Sequence, residues 1–150
     1  MNPSADSLHR FCDSAAKTAA LLSSAGDDLV ADLGLSSARV QILDVLAGAG
    51  PRTVSQTARS LGLSRQAVQR VAGDLVTHGF AVYADNPDHV RAPLLTMTDK
   101  GRAAQAEAAR RRASWREGLA EGLSPAWLDM ACELMTLIAR RAGKNSVTKA

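Results

Sequence analysis

The stretch TARSLGLSRQAVQRVAGDL, residues 57–75, constrains the fold of this chain more than any other. Ala58, Gly62 and Val68 fall at relative positions 0, 4 and 10. They supply a small residue where two helices approach, a glycine for a left-handed turn and an apolar residue that locks the crossing. Leu61 and Val71 complete the buried side, so the spacing predicts a helix-turn-helix. Its second helix is opened by a Ser64 N-cap and closed by Gly79. On that helix Val68, Val71, Ala72 and Leu75 face inward, leaving Arg65, Gln66, Gln69, Arg70 and Gly73 opposite. In a major groove an arginine can donate two hydrogen bonds to a guanine edge, and a glutamine can both donate to and accept from an adenine edge. Ser64 and the first amides of the helix also suit a phosphate, where free N–H groups meet the positive end of the dipole. The plain alternative is that Arg and Gln are simply good exposed helix formers.

The flanking segments predict further elements. From Asp6 to about Asp32 the apolar residues Leu8, Phe11, Cys12, Ala15, Ala19 and Leu22 keep helical spacing, with Gly26 a weak point near the end. Ser36 reads as the cap of a second helix carrying Val40, Leu43 and Leu46 or Ala47, which Gly48 and Gly50-Pro51 terminate. Residues 53–62 read as a two-residue extended piece, a Ser55 N-cap and a short helix. FAVYA and APLLTM, separated by Asp85-Asn86-Pro87-Asp88, read as a hairpin, and Pro93 confines its strand to an edge or to a start at that residue. Thr98 caps a long helix to about Glu121, and Ser124-Pro125 opens a last one bearing Trp127, Ala131, Leu134, Met135 and Ile138 on one side. The expected class is therefore mainly α, an α+β winged helix with a helix-turn-helix core flanked by N- and C-terminal helices. Those two helices are too rich in small and apolar residues to be covered by a small core, and a partner subunit covers them most simply.

A hairpin that follows a recognition helix can place a cation in the narrow minor groove, which offers a role for Arg91. The plain alternative is a solvated loop charge. With LGLSSARVQILDVL, TVSQTARSLGLSRQAVQRVAGDLVTHGFAV and the wing NPDHVRAPLLTMTDKG on the page, the chain resembles the MarR family of transcriptional regulators. The resemblance covers nearly the whole chain in element order. Its specific residues lie between Leu33 and Gly101. That family's wing reads Asp-x-Arg, a short strand, Leu-x-Thr and then Gly; Arg91, Thr98 and Gly101 match, while His89 stands where the Asp is expected and Asp88 is the nearby carboxylate that could support Arg91.

The resemblance implies a single domain over 1–150, with a DNA-binding region over about 36–98 and dimerisation helices over about 5–33 and 99–142. It further implies a homodimer on a pseudo-palindromic operator, probed by Ser55, Ser64, Arg65, Gln66, Gln69, Arg70 and Arg91. Repression relieved by a small organic effector follows the family pattern, with Arg39 and Trp115 as pocket candidates.

Composition agrees with a duplex partner. The formal net charge is +3, and residues 52–102 hold seven cations against four carboxylates, so the excess lies in that third. Aromatic residues make up only 3%, too few for the stacking platforms used on single strands. No apolar run is long enough for a membrane span, and the start MNPSADSLHRF lacks a secretory pattern, so a cytoplasmic protein is expected. Cys12 and Cys132 lack CxxC spacing and read as two buried thiols. The alternative is redox sensing: Cys12 sits where the organic-peroxide branch of the family places its sensing cysteine, although the tyrosines expected nearby are replaced by Ala16 and Gly26. His9, His78 and His89 form no spaced constellation with carboxylates, and no phosphate loop or HExxH is present, so neither an enzyme, a metal site nor a cofactor is expected. A winged-helix scaffold that binds protein instead of DNA remains the reading from another class.

Overall fold

Buried aliphatic side chains from three short helices and a hairpin converge on one core, and the order of the elements follows from where each apolar face must turn. The structure, a computed structural model, describes residues 3–147, with side chains over 4–143. The elements are α1 (Pro3–Asp28), a 3-10 turn (Ala31–Leu33), α2 (Ser37–Ala49), α3 (Val54–Leu61), α4 (Arg65–Thr77), β1 (Ala81–Ala84), β2 (Leu94–Met97), α5 (Asp99–Ala120) and α6 (Pro125–Val147). This is the mainly helical winged-helix class that the sequence predicts. The chain divides into two compact units, one up to Ala113 and one from Ser114 onward, so α5 contributes to both.

In the first unit the core is built from Val40, Ile42, Leu43 and Leu46 of α2, Val54 and Ala58 of α3, Val68, Val71, Ala72 and Leu75 of α4, and Phe80, Ala81 and Leu95 of the hairpin. The four inward residues expected on α4 are all buried. Gly62 takes the left-handed conformation at φ 65°, and its N–H and that of Leu63 return to the Ala58 carbonyl, closing α3 before α4 begins. β1 and β2 pair antiparallel with Ala81 opposite Met97 and Tyr83 opposite Leu95. Arg52 adds an isolated bridge to Leu95, the remnant of the extended piece expected before α3. β2 starts at Leu94, just after Pro93, which lacks the donor a ladder position would need.

Several local expectations are corrected. The N-cap of α3 is Thr53, not Ser55: the Thr53 hydroxyl accepts from Gln56 N and the Gln56 side-chain Oε1 accepts from Thr53 N, a reciprocal capping box. Ser55 lies inside the first turn and is exposed. Gly26 stays helical, two residues before α1 ends. It is buried where α1 passes the start of α2, and a Cβ there would lie 2.8 Å from Ser37 Oγ. The neighbouring Asp27 carboxylate accepts from Ser37 N at 2.5 Å and so caps α2 from another helix. α1 ends at Asp28 rather than Asp32, and Gly48 stays helical while Gly50 ends α2 at φ 73°. The caps expected at Ser36 and Ser64 are both present, accepting from Arg39 N and Ala67 N.

The junction between hairpin and α5 is tight. Thr98 N donates to Phe80 O, Thr98 Oγ1 donates to Gly79 O, and Gly101 N donates back to Thr98 Oγ1. A Cβ on Gly101 would lie 2.0 Å from the Phe80 carbonyl oxygen, so only glycine allows α5 to leave the sheet here. Further along α5, Asp44 of α2 accepts from Gln105 at 3.0 Å and from Arg112 at 2.7 Å. Arg111 holds Asp32 through two bonds at 2.6 and 3.0 Å, donates to the Leu29 carbonyl and reaches Glu107 at 2.8 Å. Hydrogen bonds from Arg110 and then Arg111 pull the Glu107 carboxyl down to about 2, and the bond from Arg111 also lowers Asp32.

In the second unit, the turn after α5 closes with Leu123 N donating to Ala120 O, and Ser124 O accepts from Trp127 and Leu128 N to begin α6. Pro125 occupies the first helical position, as expected. Trp127 is 74% exposed, and Leu128, Met130, Leu134, Met135 and Leu137 are exposed in the single chain. In the first unit, Leu8, Leu21 and Leu22 of α1 are likewise exposed.

Four measurements check this description. Thr53→Ala costs about 1 kcal/mol in chemical denaturation, the usual worth of an N-cap. Ser55→Ala stays within about 0.5 kcal/mol, as an exposed substitution should. Gly101→Ala costs about 3 kcal/mol or more, since the added carbon must displace main chain. Because the folded pKa of Glu107 is depressed, its contribution is present above the ordinary value of 4.5 and is lost as pH falls toward about 2. The urea midpoint of Glu107→Gln therefore falls less steeply than that of the unaltered chain across that interval.

Candidate nucleic-acid interface

α4 is held by its apolar stripe against α2 and α3, which leaves Ser64, Arg65, Gln66, Gln69 and Arg70 exposed on its outer side. The Ser64 hydroxyl accepts from Ala67 N at 3.1 Å, and its own proton stays available. The acidic residue of this helix, Asp74, is partly neutralised from α2: Arg39 Nη2 lies 4.0 Å from its carboxylate while Arg39 Nη1 donates to the Gly34 carbonyl at 2.8 Å.

Arginine placement divides the molecule. Arg102, Arg110, Arg111 and Arg112 each meet a carboxylate on α5, α2 or the 3-10 turn. Among the described residues, the side chains of Arg59 on α3, Arg65 and Arg70 on α4, and Arg91 on the wing form no ion pair or hydrogen bond, and all four are exposed. The cations around α4 and the hairpin loop thus differ from Arg102, Arg110, Arg111 and Arg112, which are engaged within the fold; Arg116, Arg140 and Arg141 are exposed and, among the described residues, unpaired as well. An unpaired guanidinium keeps all five donors for an external anion or base edge.

The loop between β1 and β2 runs from Asp85 to Pro93 and is organised by Asn86, which is 8% exposed. Its amide donates to the Ala92 carbonyl at 2.7 Å, and its oxygen accepts from Asp88 N at 3.1 Å. The His89 N–H donates to the Asn86 carbonyl, and the His89 carbonyl accepts from Ala92 N, forming a second turn that carries Val90 and Arg91 to the tip. Val90 is 95% exposed. Neither Asp88 nor the His89 ring pairs with Arg91. The main chain of His89 closes the loop, a task that does not require a carboxylate at that position. Asn86 escaped the sequence reading, which saw it only as a turn former; the available signal was an Asx residue two positions before Asp88.

A groove of about 580 Å³ separates the start of α3 from this loop, with Thr53, Ser55, Gln56 and Arg59 on one wall and Asn86, Pro87, Asp88, His89 and Ala92 on the other. The structure thereby places Ser55 across from the wing. A second link joins wing and helix directly: Gln69 Nε2 donates to the Tyr83 hydroxyl at 2.9 Å. Tyr83, on β1, was not singled out from sequence.

Arg39 and Trp115 do not line that groove. Arg39 is occupied by Gly34 and Asp74, and Trp115 is half-buried in the second unit. Cys12 and Cys132 are free and exposed in the single chain, which corrects the expectation of buried thiols. The helices that carry them present their apolar faces to solvent here, so burial was inferred from spacing alone. No described helix is long and apolar enough to cross a membrane.

Comparison with known proteins places this geometry. The sequence model of the MarR family matches residues 33–92, the segment that holds α2, α3, α4, β1 and most of the wing loop. An uncharacterized protein of Mycobacterium tuberculosis is 39% identical over 123 residues, covering 82% of this chain and 85% of that protein. Among solved structures, the transcriptional repressor CouR bound to a 23-mer DNA duplex is 28% identical, with a TM-score of 0.75 over 88% of this chain and 94% of that one. A MarR family transcription regulator, SP03579, superposes with a TM-score of 0.79 at 20% identity, over 98% and 97% of the two chains, a likeness of fold.

Proposed function

The chain belongs to the MarR family of winged helix-turn-helix transcription regulators, and from that premise we propose that it acts as a homodimeric repressor on a pseudo-palindromic operator. The observation that carries the reading is the set of exposed, unpaired arginines that α3, α4 and the wing bring together, whereas Arg102, Arg110, Arg111 and Arg112 of α5 are neutralised within the fold. Each subunit lays α4 in a major groove, where Arg65, Gln66, Gln69 and Arg70 meet base edges and Ser64 and Ser55 face phosphates. Arg91 enters the adjacent minor groove, where the negative potential is enhanced. Repression is favoured over activation because the DNA-bound relative CouR is a repressor.

The homodimer is supported by the apolar side chains left exposed on α1 and α6 of the single chain, Leu8, Leu21, Trp127, Met130 and Met135 among them. In this reading residues 36–98 form the DNA-binding region, the segments 5–33 and 99–142 form the dimer, and the protein works where the chromosome is, in the cytoplasm. Release by a small organic effector completes the proposal, following the pattern of the family.

Binding to duplex selected from random sequence, followed by fluorescence anisotropy, tests the assignment. Arg65→Ala costs about 1–3 kcal/mol on the selected site and relaxes preference at one position. Arg91→Ala lowers the slope of log affinity against log salt by about 1. Specific binding that survives both changes together would sink this assignment of the contacts, and failure of the chain to select any duplex would favour a protein-binding scaffold.

A further inference from the structure

Resting on the DNA-binding reading above, we propose that Tyr83 is a positioning residue that sets which base Gln69 selects. The two side chains meet across the junction of recognition helix and wing, with Gln69 Nε2 donating to the Tyr83 hydroxyl at 2.9 Å. Strand alternation explains the meeting. Tyr83 shares its side of β1 with the fully buried Ala81 and stands directly opposite the fully buried Leu95 of β2, so the base of its ring is on the core side while its tip, on a residue 38% exposed, reaches α4. It is the sole tyrosine of the chain, so nothing else on the hairpin offers a hydroxyl on a rigid stem.

Donor accounting gives the consequence. A glutamine amide has two N–H donors and one carbonyl. Unheld, it can flip and present donor and acceptor in either order. With one N–H held by Tyr83, the amide plane is fixed and the other N–H and the carbonyl remain, the two groups that a bidentate contact with the N7 and N6 of adenine consumes. Gln66 and Arg65, one turn earlier on the same helix, make no such side-chain bond among the described residues. Gln69 is therefore the recognition-helix residue whose orientation is set before DNA arrives, and the wing sets it.

The test is selection of bound sequences from random duplexes by the full chain and by Tyr83→Phe, Gln69→Ala and the double variant, with affinity measured at several salt concentrations. The unaltered chain prefers adenine at one position of each half-site. Tyr83→Phe, which removes one oxygen and keeps the ring, lowers that preference about three- to tenfold, the worth of one hydrogen bond. Preferences elsewhere and the salt slope stay as they were, which a general loss of structure would not allow. In the Gln69→Ala background Tyr83→Phe changes nothing. An unaltered preference in Tyr83→Phe overturns the inference while leaving the regulator reading intact. So does a uniform weakening on all sequences that persists without Gln69, which would make Tyr83 a phosphate contact. Failure of the unaltered chain to select any sequence overturns the regulator reading and this inference with it.

Discussion

The structure depends on the contact between Gly101 and the Phe80 carbonyl. At that point the turn after α4, the first strand, the end of the second strand and the start of α5 share a few atoms, with Thr98 Oγ1 donating to Gly79 O and accepting from Gly101 N. The 2.0 Å separation that a Cβ would have from the Phe80 oxygen leaves room for hydrogen alone. Because the hairpin and α5 diverge from this junction, it decides both where the wing stands relative to α4 and in which direction the long helix departs. Lys100 adds to it from outside, donating to the His78 carbonyl at 2.8 Å with its ammonium 4.5 Å from the centre of the Phe80 ring.

Charge is distributed with the same economy. Carboxylates on α2, α5 and the 3-10 turn engage the arginines that tie α5 to the winged unit, so those cations hold elements together and are satisfied locally. Such exposed pairs contribute modest stability individually, and the Arg110, Arg111, Glu107 and Asp32 group acts through shared geometry more than through any single contact. The arginines of α3, α4 and the wing have no such partners, which keeps their guanidinium groups free for a polyanion. A small net charge of +3 thus conceals a group of exposed arginines on α3, α4 and the wing that no carboxylate pairs.

Much of this was legible in the chain because it rests on short-range rules. The Ala58, Gly62, Val68 spacing, the Ser36 and Ser64 caps, the proline at the start of α6 and the hairpin around Asp85 to Asp88 are each determined within a few residues. Where two local signals competed, reading was less secure. Thr53 and Ser55 both precede a helix by hydroxyl chemistry, and only the reciprocal bond with Gln56 selects Thr53. Gly26 carries opposite meanings by context: a helix weakness in isolation, a close approach once Ser37 is packed against it. The wing posed the same difficulty. His89 at an expected acidic position looked like a defect in Arg91 support, yet the loop is held by Asn86 and by the main chain of His89, contacts that a comparison of side-chain types does not see.

The sequence by itself determined the element order, the apolar stripe of the recognition helix and the residues on its outer side, because helical and strand periodicity allow only one assignment of faces. Tertiary structure alone decided which cations remain unpaired, which hydroxyl caps α3, and that Gln69 meets Tyr83, 14 residues away along the chain. Those outcomes depend on distances between separate elements, set by how closely Gly26, Gly62 and Gly101 let the backbone turn or approach. Periodicity, which records only the direction a side chain faces, holds no measure of them.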